Sequence, residues 1–337
     1  MQRGHTRLAL RASPDPAGRI TTAPLRVPEP SRAADPALVD AALAELDALA
    51  GLGKVKTLIR ELAAFATVQG WRGAAGLRTD PLVLHMVFRG NPGTGKTTVA
   101  RILGRLLRGL GLLARGHLVE VERADLVGEY IGHTAAKARE LLQRAMGGVL
   151  FVDEAYSLDR GGEKDFGKEA TDVLVKAMED RRAEFVLILA GYGAEMERYL
   201  RSNPGLRSRF PTHLDFPDYT EAELMRIAES MLEARQYHLT PAARARLAEM
   251  LRAPGGQAAL AAGNARLVRN VLERAIRRQA SRLVRSGGPP RAVGVLQGIM
   301  PEDLDTSLRD VGGFGGSREA HWEEESPAVV VRWPGRA

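Results

Sequence analysis

Gly90-Asn91-Pro92-Gly93-Thr94-Gly95-Lys96-Thr97 is the stretch whose reading decides the fold. Its spacing is G-x-x-x-x-G-K-T, and it stands between an apolar run, Leu82 to Phe88, and an amphipathic helical stretch. Glycines there let backbone N–H groups turn inward toward phosphate oxygens, and the following helix points its positive end at the same place. Lys96 has the reach for the outer phosphates, and the Thr97 hydroxyl is offered to Mg²⁺. With Thr98, residues Gly90 to Thr98 form the candidate cradle, and ATP with Mg²⁺ is the ligand it implies.

Binding becomes hydrolysis when acids arrive at the end of a neighbouring strand. Val149-Leu150-Phe151-Val152-Asp153-Glu154 supplies them after four apolar residues. Asp153 is suited to hold Mg²⁺ through its water shell. Glu154, one residue on, is suited to orient and deprotonate the attacking water.

Working outward, further apolar runs lie at Leu118 to Val121, Phe185 to Leu189 and His213 to Phe216. Amphipathic helices separate them, such as the one carrying Ala170, Val173, Leu174, Ala177 and Met178. Strand alternating with helix predicts an α/β domain, a parallel sheet with helices on both faces. On the N-terminal side, Val55, Leu58, Ile59, Leu62 and Phe65 have helical spacing. After Pro217 the strands are expected to stop, and 220–236, 240–252 and 265–285 read as helices, giving a small all-α lid domain. The expected division is a disordered tail over 1–35, the ATPase domain over 36–218, the lid over 219–307 and a second disordered tail over 308–337. Both tails are rich in Pro or Gly and lack apolar periodicity.

Composition removes other classes. There is no cysteine, so disulfides, zinc ribbons and thiolate catalysis are excluded, and the seven histidines are scattered. No window has the roughly 18 apolar residues of a membrane span, and no apolar signal core opens the chain, so a cytoplasmic protein is expected. The net charge of +7 invites a nucleic-acid reading. Its distribution weakens that reading: residues 240–291 hold eleven Arg against Glu249 and Glu273, a net of +9, which leaves −2 for the rest. With only seven Lys among the 48 basic residues an Arg-rich coding bias fits as well, while the lid is expected to have a basic face.

These residues resemble the AAA+ superfamily, and within it the branch of stage V sporulation protein K and the red-type Rubisco activases. The resemblance rests on the loop at 90–97, on Gly116-His117-Leu118-Val119-Glu120-Val121, on Asp125-Leu126-Val127-Gly128-Glu129-Tyr130-Ile131-Gly132-His133-Thr134 and on Gly147-Gly148-Val149-Leu150. It covers about residues 40–305. It implies a hexameric ring with each ATP at a subunit boundary. Tyr130-Ile131-Gly132 falls where the family has the aromatic pore loop that grips an extended peptide. Asn203 to Phe210 resembles the stretch presenting an arginine finger to the neighbouring subunit, with Arg209 preferred and Arg207 second. Arg266, in Gly263-Asn264-Ala265-Arg266, corresponds to the lid arginine that contacts the nucleotide, with Arg269 as substitute. Leu52 and Gly53 resemble the segment that packs the base. Where many relatives have a polar Asn or Thr at the end of the fourth strand, this chain has Leu189-Ala190-Gly191-Tyr192, and Tyr192 is the available hydroxyl.

Three activities fit this reading. A motor of the sporulation type acting on a protein client is favoured by the run Gly161 to Ala170. A red-type Rubisco activase would need the lid to bind a sugar bisphosphate. A clamp-loader-like ATPase dependent on nucleic acid would use the basic lid, and the pore-loop resemblance argues against it.

Overall fold

Residues 34–79, 82–128, 130, 132–160, 166–286 and 292–304 are described in the computed structural model. The expected N-terminal tail, apart from its last two residues, and the whole C-terminal tail lie outside them, as do Glu129, Ile131 and Gly161 to Asp165. The first helix, α1 (Pro36–Ala48), begins at Asp35, whose carboxylate accepts from Leu38 N at 3.1 Å, with Pro36 in the turn that needs no N–H partner. After α2 (Gly53–Ala74) comes β1 (Met86–Gly90), which turns through the glycine-rich loop into α3 (Lys96–Gly109). The predicted strand began at Leu82. Pairing begins only at Met86, because the Leu187 N–H beside the preceding residue is taken by the His85 ring, at 3.0 Å to Nδ1.

The chain continues through β2 (Leu118–Val121), α4 (Arg123–Leu126), α5 (His133–Ala145), β3 (Val149–Val152) and α6 (Gly167–Asp180). Then follow β4 (Val186–Gly191), α7 (Gly193–Ser202), α8 (Pro204–Arg209) and β5 (Thr212–Phe216). The five strands form one parallel sheet in the order β2-β3-β4-β1-β5. Their period of two divides the core. Val87, Leu150, Val152, Leu187 and Leu189 face α5, α6 and α7, while Met86, Phe88, Phe151, Ile188 and Ala190 face α1, α2 and α3. Both faces are therefore covered, as uninterrupted apolar strands require.

Beyond the sheet, α9 (Glu221–Glu233) opens with a capping box between Thr220 and Glu223. It leads through β6 (His238–Leu239), α10 (Pro241–Arg252), α11 (Pro254–Arg285) and α12 (Val293–Gln297) to β7 (Gly298–Ile299). The lid is helical, with one addition that the sequence pattern hides: β6 and β7 form a parallel pair of two residues each. Gln279, buried beneath it, donates to the carbonyls of Leu296 and Gly298 at 2.9 and 3.0 Å. The predicted helix at 265–285 is the second half of α11, which starts at Pro254 and breaks at Asn264 (φ 44°, ψ −128°). Buried Asp303 closes the lid by accepting from Arg282 at 3.0 and 2.8 Å, so its charge is paired. Among the described residues no helix is long and apolar enough to cross a membrane.

His85 sits in this core between the rings of Phe185 and Phe210, at centroid distances of 5.6 and 6.3 Å. Burial pushes its pKa down to about 4. The native state therefore binds fewer protons here than the unfolded chain between pH 6.5 and 4, and stability rises with pH across that window. Going from pH 7 to pH 5 should cost the wild type about 2 kcal/mol through this group. Denaturant unfolding at the two pH values is expected to show that difference shrinking by about this amount in His85→Phe.

Candidate active site

In a parallel sheet the strand ends that follow the chain direction gather on one edge, where ligands bind. Here β4 lies between β1 and β3, so the loop after β1, Gly191 and Asp153-Glu154 arrive side by side. They line a cavity of about 340 Å³. Gly93 and Gly95 have φ of 71° and 94°, the left-handed region that glycine tolerates, and this brings the loop backbone round to the start of α3. A Cβ at Gly93 would collide with the carbonyl oxygen of Gly263 in α11.

Lys96, first in α3, donates to the carbonyls of Gly90 and Asn91 at 2.8 Å each. Burial lowers its pKa, Asp153 opposes the shift, and nearby Arg266 adds to it. Thr97 and Thr98 line the cavity, and the Thr97 hydroxyl donates to Glu120 of β2 at 3.2 Å. Glu120 has no role legible in sequence, because one acid in a half-exposed strand carries no signal. Asn91 and Thr94 do not line the cavity; the Thr94 hydroxyl donates to Asn91 O at 2.8 Å and stiffens the turn.

The residues fit Mg²⁺ bound to nucleotide. Mg²⁺ keeps several waters and takes one or two protein oxygens beside phosphate. Thr97 and Asp153 provide that set, and among the described residues no cluster of three His, Asp or Glu is arranged to hold a metal by itself.

Glu154 takes a left-handed backbone (φ 45°, ψ 43°), and its N–H donates to Asp153 Oδ1 at 3.0 Å. Beside it stand two tyrosines, Tyr156 and Tyr192, with ring centroids 6.0 Å apart. Burial first, and then the charge of Glu154, raise the pKa of both. Only Tyr192 lines the cavity, as the sequence reading allowed. Tyr156 explains why a polar side chain is missing at the end of β4: a Cβ at Gly191 would lie 2.7 Å from the Tyr156 ring.

The lid closes the cavity with Arg266 and Arg269 from α11 and with Ile227 and Met231 from α9. Both candidate lid arginines are thus present. Of the segment expected to pack the base, Leu52 is buried and Gly53 starts α2, and neither lines the cavity, which Leu49 and Ala50 reach. Ile227 and Met231, four apart on α9, are indistinguishable in sequence from ordinary lid core.

Tyr130, Gly132, Arg207 and Arg209 lie outside the cavity of their own chain. Tyr130 is 66% exposed and meets the His133 ring edge-on at 5.5 Å. Arg209 donates to Gly205 O at 2.6 Å and is ion-paired with Glu179. Arg207 is exposed.

A model of the family "ATPase family associated with various cellular activities (AAA)" matches residues 86–218, and one of the AAA lid domain matches 220–312. Stage V sporulation protein K of Bacillus subtilis is 53% identical over 241 residues, 71% of this chain and 75% of that protein. The chain belongs to the AAA+ ATPase family. Its kinship extends to both sides of the expected branch. The chloroplastic ribulose bisphosphate carboxylase/oxygenase activase of Cyanidioschyzon merolae is 48% identical over 257 residues, covering 76% of this AAA+ ATPase and 87% of that protein. A RuvB variant of Thermotoga maritima shares the fold at 20% identity, with a TM-score of 0.51 over 79% of this chain and 72% of that one.

Gly93→Ala in this AAA+ ATPase combines an unfavourable φ with a collision against lid backbone, an expected cost of about 2 kcal/mol or more. A lowered melting temperature together with weakened binding of a fluorescent ADP analogue would register it.

Proposed function

We propose that this AAA+ ATPase uses Mg-ATP hydrolysis to remodel a protein client drawn past Tyr130 in a hexameric ring, as a motor of the sporulation type. The observation that carries the reading is Tyr130 itself, a large aromatic 66% exposed. Gly128 N donates to the Thr134 hydroxyl at 2.9 Å, joining two residues that flank Tyr130 in the chain. An exposed aromatic ring is suited to grip a chain by packing, whatever its sequence.

In the proposed mechanism Lys96, now on two loop carbonyls, would serve the outer phosphates, and Thr97, now on Glu120, and Asp153 are the residues that would hold Mg²⁺. Bound Mg²⁺ would neutralise charge on the phosphates. Glu154 accepts a proton from the attacking water, whose oxygen bonds to the terminal phosphorus as the bond to the bridging oxygen breaks. Arg266 contacts the nucleotide from the lid. Arg209 serves the neighbouring subunit's site, which requires it to leave Glu179, an exchange that a half-exposed ion pair permits cheaply.

The distribution of lid charge supports a protein client over nucleic acid. Arg244, Arg246, Arg252 and Arg282, four of the eleven arginines of 240–291, are ion-paired with Glu229, Glu249, Glu221 and Asp303, which lowers the charge this stretch offers to phosphate. The activase reading stands second, favoured by the 48% identical relative of that name.

ATP turnover measured alone, with duplex DNA, with an unstructured protein, and with inhibited red-type Rubisco plus ribulose bisphosphate separates these readings. Lys96→Ala is the blank. Stimulation by unstructured protein is expected, stimulation by DNA overturns the remodelling reading, and a response to Rubisco replaces it with the activase. Glu154→Gln should hydrolyse about a hundredfold more slowly or worse while still binding ATP. Arg209→Ala and Lys96→Ala, each inactive alone, should regain part of the activity when mixed, since an intact loop then meets an intact arginine in some rings; mixtures that stay silent would argue that Arg209 does not act across subunits.

A further inference from the structure

Four consecutive residues of the phosphate-binding loop each bond to the linker or the lid. Asn91 Nδ2 donates to the Asp218 carboxylate at 2.9 and 3.0 Å. Pro92 O accepts from Asn264 Nδ2 at 3.3 Å, Gly93 O accepts from Ala265 N at 3.2 Å, and Thr94 O accepts from the Tyr219 hydroxyl at 2.9 Å. The side chain at the centre is Asn264, fully buried. Its amide also donates to Asp218 Oδ1 at 2.8 Å, and its oxygen accepts from Tyr219 N at 3.0 Å. Both donors and the acceptor are thereby used. The residue sits at φ 44°, ψ −128°, a conformation glycine adopts freely and asparagine does not. A strained, buried amide linking three segments is over-determined for a simple helix kink, since glycine would make the same bend at lower cost.

We infer that Asn264 is a positioning residue for the nucleotide. Through Asp218 and Pro92 it fixes where the second half of α11 begins, and two residues later that half delivers Arg266 to the cavity. Gly93 has no Cβ and so lets the two backbones meet, and Ala265 N bonds to its carbonyl on the first turn. The lid's orientation is in this way referred to the phosphate loop itself rather than to the sheet. The inference rests on the reading of the cavity as a nucleotide site.

Asn264→Gly tests it, because glycine relieves the backbone while deleting all three side-chain bonds. Its melting temperature without nucleotide should match the wild type, whereas Mg-ADP titrated calorimetrically should bind roughly tenfold more weakly. If Asn264 acts through Arg266, the same change made in Arg266→Ala should weaken binding by less than about twofold further. Unchanged ADP affinity in Asn264→Gly, or losses that multiply in the double variant, would overturn the inference. Should Asn264→Gly melt early, the swapped pair decides: Asn264→Asp sets two carboxylates together and removes the donor to Pro92 O, and should weaken ADP binding. Adding Asp218→Asn should recover the part due to the paired carboxylates, with no recovery at all counting against the inference. A wild type that binds Mg-ADP no better than Lys96→Ala would instead remove the nucleotide-site reading, and the inference with it.

Discussion

Parallel pairing with β4 lying between β1 and β3 is the constraint on which the rest of the structure depends. Parallel neighbours end on the same edge, so a loop, a glycine and two acids separated by about a hundred residues of chain have no choice but to converge. Helix dipoles, lysine reach and carboxylate chemistry act only on what that edge brings together. The alternation that sends Leu187 and Leu189 to one core and Ile188 and Ala190 to the other also makes the edge stiff, since a register slip would reverse both layers at once.

The elements that the sequence made legible are those with a strong local cause. Val149 to Val152 and Leu118 to Val121 are read to the residue, because apolar runs flanked by polar or glycine residues leave little freedom. The loop at 90–97 is legible because its glycines and lysine make sense together and not separately. What escaped depends on distant partners. The start of β1 is set by a histidine ring capturing an N–H from β4, the β6–β7 pair by a glutamine reaching from α11, and the break in α11 by contacts to a loop some 170 residues earlier. Glu120, Tyr156, Ile227 and Met231 belong to the same class. Each has an ordinary local context, and only the fold sets it beside the cavity or its acid.

Electrostatics divides the molecule into charges already matched and charges held near a ready alternative. Arg282 is of the first kind, bidentate on the buried Asp303 carboxylate, and serves the lid's integrity. Lys96 on two carbonyls, Thr97 on Glu120 and Arg209 on Glu179 are of the second kind. Each is satisfied by a partner that is neutral, shared or partly in water, so the exchange proposed for it would involve little reorganisation of the surroundings.

The contact between Gly191 and Tyr156 has a consequence for the descent of such chains. The space above β4 holds either an aromatic ring from the turn after β3 or a side chain from β4 itself, and not both. A side chain at position 191 therefore calls for a smaller residue at position 156. A lineage can exchange a polar residue on the strand for a phenol beside the acid only by passing through a form that has both, which is crowded, or neither, which leaves a void. Crowding and voids each cost stability, so the arrangement, once adopted, resists reversal by single steps.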